Sequence, residues 1–222
     1  MSGQLKAGQI GPFSDDIGLD FEPSNNWGHA LVAEAGPKYL EWTRRGYTFT
    51  ARATAAQALI IFSTATNAPT LWNPSDSGKI VVPIRLQLHP VAVASAVHTG
   101  VVLGFQGGCG AQAATASPIL TFTNKTPTNN CPYTNKVAKT KYSDAVVTFT
   151  AIPSILQDIG MVQNVDGTPA TGGFSSLVYD FDGTVALGPG DIMSVFGQAA
   201  SVNTFWMSII FAELPLAVGG LS

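Results

Sequence analysis

Residues 80–88 alternate more cleanly than any other part of this chain. Ile80, Val82, Ile84, Leu86 and Leu88 fall on one side, with Arg85, Gln87 and His89 on the other. A side-chain period of two belongs to a half-buried strand, so the segment predicts one apolar face packed on a core. The turn cluster Asn73-Pro74-Ser75-Asp76-Ser77-Gly78 leads into it. Further β-rich runs lie at 47–50, 58–62, 101–105, 119–122, 146–149, 155–162, 176–181, 192–196 and 204–214. Short strands separated by turn signals, with no long helices between them, predict an all-β fold. The expected form is an antiparallel jelly-roll sandwich of about 8–10 strands. The 23 glycines and 14 prolines supply the turns.

Residues 1–32 show no sustained period and carry two short acidic clusters, which reads as an extended arm. One short helix follows. Pro37 suits the first helical position, Tyr39, Leu40 and Trp42 give an apolar side, Arg44 and Arg45 complement the dipole, and Gly46 suits the C′ stop. At about nine residues such a helix needs a docking surface. The expected organisation is therefore arm and helix over 1–45 and a jelly-roll domain over 46–222. Residues 107–142 form a long insertion, read as a loop. It holds Lys125, Lys136, Lys139 and Lys141, a basic excursion suited to an anionic partner or to solvent.

Charged residues are 11% of the chain and the net charge is −3, against about 25% charged in an ordinary soluble domain. That balance speaks against nucleic acid or an anionic membrane as partner, and the apolar content speaks against disorder. The longest apolar run, 205–212, is interrupted by Ser208 and falls short of the roughly 18 residues of a membrane span. The first ten residues lack a signal-peptide core, so the expected site of synthesis is the cytosol. Cys109 and Cys131 sit in Gly-Gly-Cys-Gly and Asn-Asn-Cys-Pro contexts. They would form either one loop staple or, as suits a reducing cytosol, two free thiols.

Catalytic patterns fail on inspection. Asp180-Phe181-Asp182-Gly183-Thr184 resembles the signature of haloacid-dehalogenase-type phosphatases. Only about forty residues follow it, however, and Gly188-Pro189-Gly190 breaks the helix that chemistry needs. Asp182-Gly183 between two β-rich runs instead predicts a tight hairpin turn. His29, His89 and His98 lack the spacing of metal ligands, and the cysteines lack near neighbours for zinc. No Gly-x-Ser-x-Gly elbow or P-loop occurs. Trp27, Trp42, Trp72 and Trp206 would make a sugar-stacking platform only if gathered, and their scatter favours packing anchors. No cofactor, metal or enzymatic activity is expected.

The run Tyr39-Leu-Glu-Trp-Thr-Arg-Arg-Gly-Tyr-Thr-Phe-Thr-Ala-Arg52 resembles the entry segment of certain tailed-bacteriophage virion proteins, where a short helix ends in an Arg-Gly-aromatic step before the first strand. The turn Asn73-Pro-Ser-Asp-Ser-Gly-Lys79, the segment Val185-Ala-Leu-Gly-Pro-Gly-Asp191 and the closing Phe205-Trp-Met-Ser-Ile-Ile-Phe-Ala-Glu-Leu-Pro215 are similar to their patterns too. The resemblance implies a structural jelly-roll subunit of a phage head or tail, often trimeric. The expected role is a capsid decoration or cement subunit, assembled in the host cytoplasm into a virion, with copies of itself and the major capsid protein as partners. A tail, spike or receptor (glycan)-binding jelly roll is the alternative. Expected interaction residues are Trp27, Tyr39, Trp42, Arg44, Arg45, Lys125, Lys136, Lys139 and Lys141. Low charge fits such a role, since interface cores are depleted in charge.

Overall fold

Antiparallel pairing builds two large sheets and one small one in the computed structural model, which describes residues 38–92, 99–108, 119–162, 176–199 and 204–216. Sheet A runs, in spatial order, β12 (Leu177–Asp180), β5 (Lys79–Ala92), β14 (Thr204–Pro215), β1 (Thr48–Arg52) and β8 (Thr128–Asn129), with β2 (Gln57–Ala58) also paired to β14. Sheet B runs β11 (Ser154–Val162), β6 (Thr99–Gln106), β13 (Ile192–Gly197), β4 (Thr70–Trp72) and β9 (Lys141–Ser143). Sheet C is β3 (Ala65–Thr66), β10 (Val147–Phe149) and β7 (Ile119–Thr121). The all-β expectation holds, with one short α-helix, α1 (Leu40–Arg44).

Eight strands carry the architecture. β1 pairs β14, β4 pairs β13, β5 pairs β12 and β6 pairs β11, all antiparallel. The pairs are nested in sequence, as in one long hairpin rolled into two sheets. Phe49, Ala51, Leu86, Leu88, Met207, Ile209 and Phe211 from sheet A meet Leu71, Val101, Leu103, Met193 and Val195 from sheet B in one buried core.

A third layer is the first departure from the expected sandwich. Sheet C covers the outer face of sheet B, where Trp72, Val102, Ile192 and Phe196 pack with Val147 and Phe149. β13 is consequently buried along its whole length, which explains why its sequence is nearly continuous in apolar residues rather than alternating. Gly104 makes the layer close. A Cβ there would lie 2.5 Å from the Phe196 ring and 3.3 Å from Phe62, and the two rings meet edge to face at 4.9 Å.

The alternation at 80–88 needs correction. Pairing with β14 shifts register between Ile210 and Phe211, so that Phe211 faces Pro83 while Ile210 faces Arg85. The extra residue, Ile84, is a β-bulge that reverses the phase of the strand. Leu86 and Leu88 point into the core as expected, but so does Val81, whereas Ile80 and Val82 are only partly buried.

The 107–142 excursion is not a free loop where it is described. It contributes β7 to sheet C, β8 to one edge of sheet A, β9 to the matching edge of sheet B, and a 3₁₀ turn at Pro132–Thr134. The helix is also shorter than expected. Tyr39 has φ +69°, a left-handed conformation that no α-helix continues through. Its end follows the sequence: the Gly46 and Tyr47 amides donate to the Thr43 and Trp42 carbonyls, with Gly46 at φ +69°, a Schellman stop. Asp182 and Gly183 form the expected tight turn, closed by Thr184 N–H to the Phe181 carbonyl at 2.9 Å. It is not a hairpin between neighbouring strands, because Phe181 before it and Leu187 after it both pair with β5. The chain forms two compact units, Met1–Leu40 and Glu41–Ser222.

Candidate interaction surfaces

At one corner of the larger unit the helix end docks on the excursion. The Arg44 carbonyl, left open by the end of α1, accepts from the Tyr133 hydroxyl at 3.1 Å and from the Cys131 thiol at 3.9 Å. The Asn129 side-chain amide donates to the Gly46 carbonyl at 3.2 Å and the Lys136 carbonyl at 3.0 Å. The Lys136 ammonium stands 3.8 Å from the Tyr47 ring centroid, a cation–π contact. A hydrogen bond with Cys131 foremost, and then burial, push the Tyr133 hydroxyl above its ordinary pKa. Tyr133 remains 74% exposed and Val137 71%, so this corner presents an aromatic and an aliphatic side chain beside three basic ones.

Among the expected interaction residues, Arg44, Arg45 and Lys136 gather at this corner, with half-buried Trp42 on the same helix. Both arginines pair with Glu41. Tyr39 lies beside Lys38, whose ammonium is 5.1 Å from its ring. Trp27 lies outside the described residues. The four excursion lysines have different surroundings. Lys125 bonds the buried Asp144 carboxylate at 2.7 Å and the Thr54 hydroxyl at 3.2 Å. Lys141 lies on β9 in register with Trp72, and Lys139 is exposed. Cys131 is a free, buried thiol, while Cys109 lies outside the described residues.

Two buried carboxylates tie the excursion down. Glu213 on β14 accepts from the backbone amides of Thr140 at 2.6 Å and Lys139 at 3.1 Å. Asp144 accepts from Lys125 and from the Thr54 amide and hydroxyl. Burial opposes the Asp144 charge, but these hydrogen bonds outweigh it and hold the carboxyl below its ordinary pKa. The two turn motifs of the sequence also meet. Asn73 donates through its side chain to the Lys79 and Leu187 carbonyls, and its backbone pairs with Asp191 and Gly190. Asp191, raised in pKa by burial, accepts from the Gly188 amide. These residues lock two loops together.

Sequence reasoning missed two further surfaces. The first is the side opposite the excursion, where β11 and β12 are edge strands of sheets B and A. Ile155 and Met161 are each 60% exposed there, and Leu156 and Val178 are also exposed. Two register shifts at Ile155/Gln157 and Asp158/Gly160 interrupt the regular edge, a device that disfavours strand addition. The signal was present as apolar residues in a run without clean alternation. The second is the outer face of sheet A. Across it lie Val178, Gln87, Ser208 and Arg52 in one row, and Asp180, Arg85, Ile210 and Thr50 in the next, with His89 opposite Trp206. Arg85 grips Asp180 through two hydrogen bonds at 2.6 and 3.1 Å, so Asp180 of the phosphatase-like signature is half of an ion pair. Ser208 donates to Gln87 at 3.2 Å, and His89 meets Ser176 at 2.8 Å. The Arg52 guanidinium lies 5.3 Å from the Trp206 ring centroid.

Among the described residues, no three His, Cys, Asp or Glu side chains gather as a metal site, and no helix is long and apolar enough to cross a membrane. Comparison with known proteins finds no matching family model, no matching curated protein and no matching solved structure.

Proposed function

We propose that this chain is a non-enzymatic structural subunit of a phage virion, a decoration or cement protein that assembles with copies of itself on the capsid. The observation that carries the reading is the apolar side formed by β11 and β12. Ile155, Leu156 and Met161 of β11 and Val178 of β12 are large apolar side chains left exposed on these two edge strands, and exposed apolar surface marks interaction sites. The interrupted register of β11 favours a partner that engages side chains over one that extends the sheet. The nested strand order suits the role, since we assign it to the jelly-roll class and jelly rolls serve in viral shells. A charged fraction of 11% suits a subunit covered by others. Multi-angle light scattering of the full chain tests it. The expected result is a defined oligomer that Met161→Lys or Ile155→Lys dissociates while the β-sheet spectrum is kept. A wild-type monomer at micromolar concentration sinks the proposal.

A further inference from the structure

The apolar side on which the proposed function rests has a chemical counterpart at the other end of the sandwich. β11 and β12 close one end. They pack on each other, and the Gln157 side-chain amide donates to the Tyr179 hydroxyl between them. Every charge on β11, β12 and the turn that follows is acidic: Asp158, Asp180 and Asp182, with no base. Arg85 of β5 pairs with Asp180. Asp158 is exposed and accepts from the neutral Gln198 amide at 3.2 Å, which leaves its charge in place. The same two strands carry the exposed Ile155, Leu156, Met161 and Val178.

The opposite end has the reverse charge. Residues 130–140 cross from β8 of sheet A to β9 of sheet B. From 119 to 143 the excursion carries Lys125, Lys136, Lys139 and Lys141 and no acid. Lys125 is paired with Asp144, but among the described residues no carboxylate pairs with Lys136, Lys139 or Lys141. Tyr133 and Val137 are exposed in the same crossing. Each end thus presents apolar side chains among charges of one sign, and the two signs are opposite.

These ends cannot meet within one molecule. β12 and β8 are the outer strands of sheet A, and β11 and β9 those of sheet B. Five strands set about 19 Å between the outer two. We propose that the β11–β12 end of one copy docks head to tail on the 130–140 crossing of a second copy. This rests on the reading of the chain as a homo-oligomer and names the surface that receives its apolar side. Opposite charge selects this pairing, because either end set against its own kind brings like charges together. Tyr133 and Val137 supply aromatic and aliphatic contact for Ile155 and Met161. A contact between two different patches is heterologous, so assembly continues until a ring closes or a filament forms.

Two variants of the full chain, each at an exposed position, test the pairing. Met161→Lys places a base in the acidic end, and Val137→Glu places an acid in the basic crossing. Lys139→Glu, exposed in the same crossing, replaces Val137→Glu should the latter lose the β-sheet circular dichroism of the wild type. In light scattering, at a concentration where wild type is an oligomer, each variant alone should be a monomer. Mixed in equal amounts they should assemble again, because each supplies the half that the other lacks. Native mass spectrometry should then find both variants in every complex. A folded crossing variant that assembles like wild type overturns this inference and leaves the oligomer reading intact, and so does a mixture that stays monomeric. A wild-type monomer defeats the oligomer reading itself.

Discussion

The outer faces of sheets A and B start from the same geometry and end in opposite chemistry. On sheet B, Trp72, Val102, Ile192 and Phe196 point outward and are buried by Val147 and Phe149 of sheet C. On sheet A, the equivalent outward positions hold Arg85, Gln87, Ser208 and Arg52, joined in pairs to Asp180, to one another and to Trp206. The difference shows how a two-sheet sandwich divides its tasks. One face is spent on internal stability through a small added sheet, whereas among the described residues no sheet lies on the other. It also explains the low charge of the chain, because a strand covered on both faces, such as β13, has no position where a charge would be solvated.

The largest expected effect separates these two faces by stability. Phe196→Ala removes a fully buried ring from between sheets B and C and should cost about 3–5 kcal/mol in denaturant unfolding. Ile210→Ala, on the outward side of β14, removes a partly buried side chain and should cost about 1 kcal/mol. Equal losses would mean that sheet C does not seal its face, and the contrast would collapse.

An intermediate effect concerns how the excursion that feeds sheet C is held. Asp144 is buried, and its carboxyl is kept below the ordinary range by Lys125 and Thr54. A carboxylate with a depressed folded pKa contributes stability that is fully present above its unfolded value of about 4 and is lost as pH falls through the lower folded value. Wild-type protein should therefore lose stability below about pH 4 more steeply than Asp144→Asn, which has no charge to protonate. Asp144→Asn should itself be less stable at pH 7 by about 2 kcal/mol, since hydrogen bonds to a charged group are worth about 1.5–3 kcal/mol. Parallel acid limbs for the two proteins, followed by tryptophan fluorescence, would show that the Lys125–Asp144 link does not anchor the excursion.

Most strands were legible because they rest on local signals. The run 192–196 gave β13, the run 204–214 gave β14, and the Asn73–Gly78 cluster gave the turn before β5. The stop at Gly46 was legible for the same reason, since a left-handed glycine after arginines is a local device. What escaped depends on partners far away in sequence. The bulge at Ile84 appears only when β14 is laid beside β5. The strands inside 107–142 are two or three residues long, too short to show a period, and exist because β1, β4 and β10 offer open edges. The ion pair of Lys125 escaped because its partner is a buried acid nineteen residues on. The face of Arg52 and Trp206 is assembled from β1 and β14, and neither residue signals it alone.

The smallest expected effect tests whether the open face is preorganised by its own pairs. Arg85 and Asp180 are both near half exposed and are joined by two hydrogen bonds across β5 and β12. The hydrogen bond to Asp180 is the main reason the Arg85 guanidinium is held above its ordinary pKa. In water such a pair is screened, and its coupling should be below about 1 kcal/mol. A double-mutant cycle with Arg85→Ala and Asp180→Ala should give that small favourable value, shrinking in molar salt. The same variants should leave the unfolding cost of Phe196→Ala unchanged, because the two faces share no side chains. A coupling of several kcal/mol, or a cycle that altered the Phe196→Ala cost, would show that sheet A's outer face contributes to the internal packing of the fold.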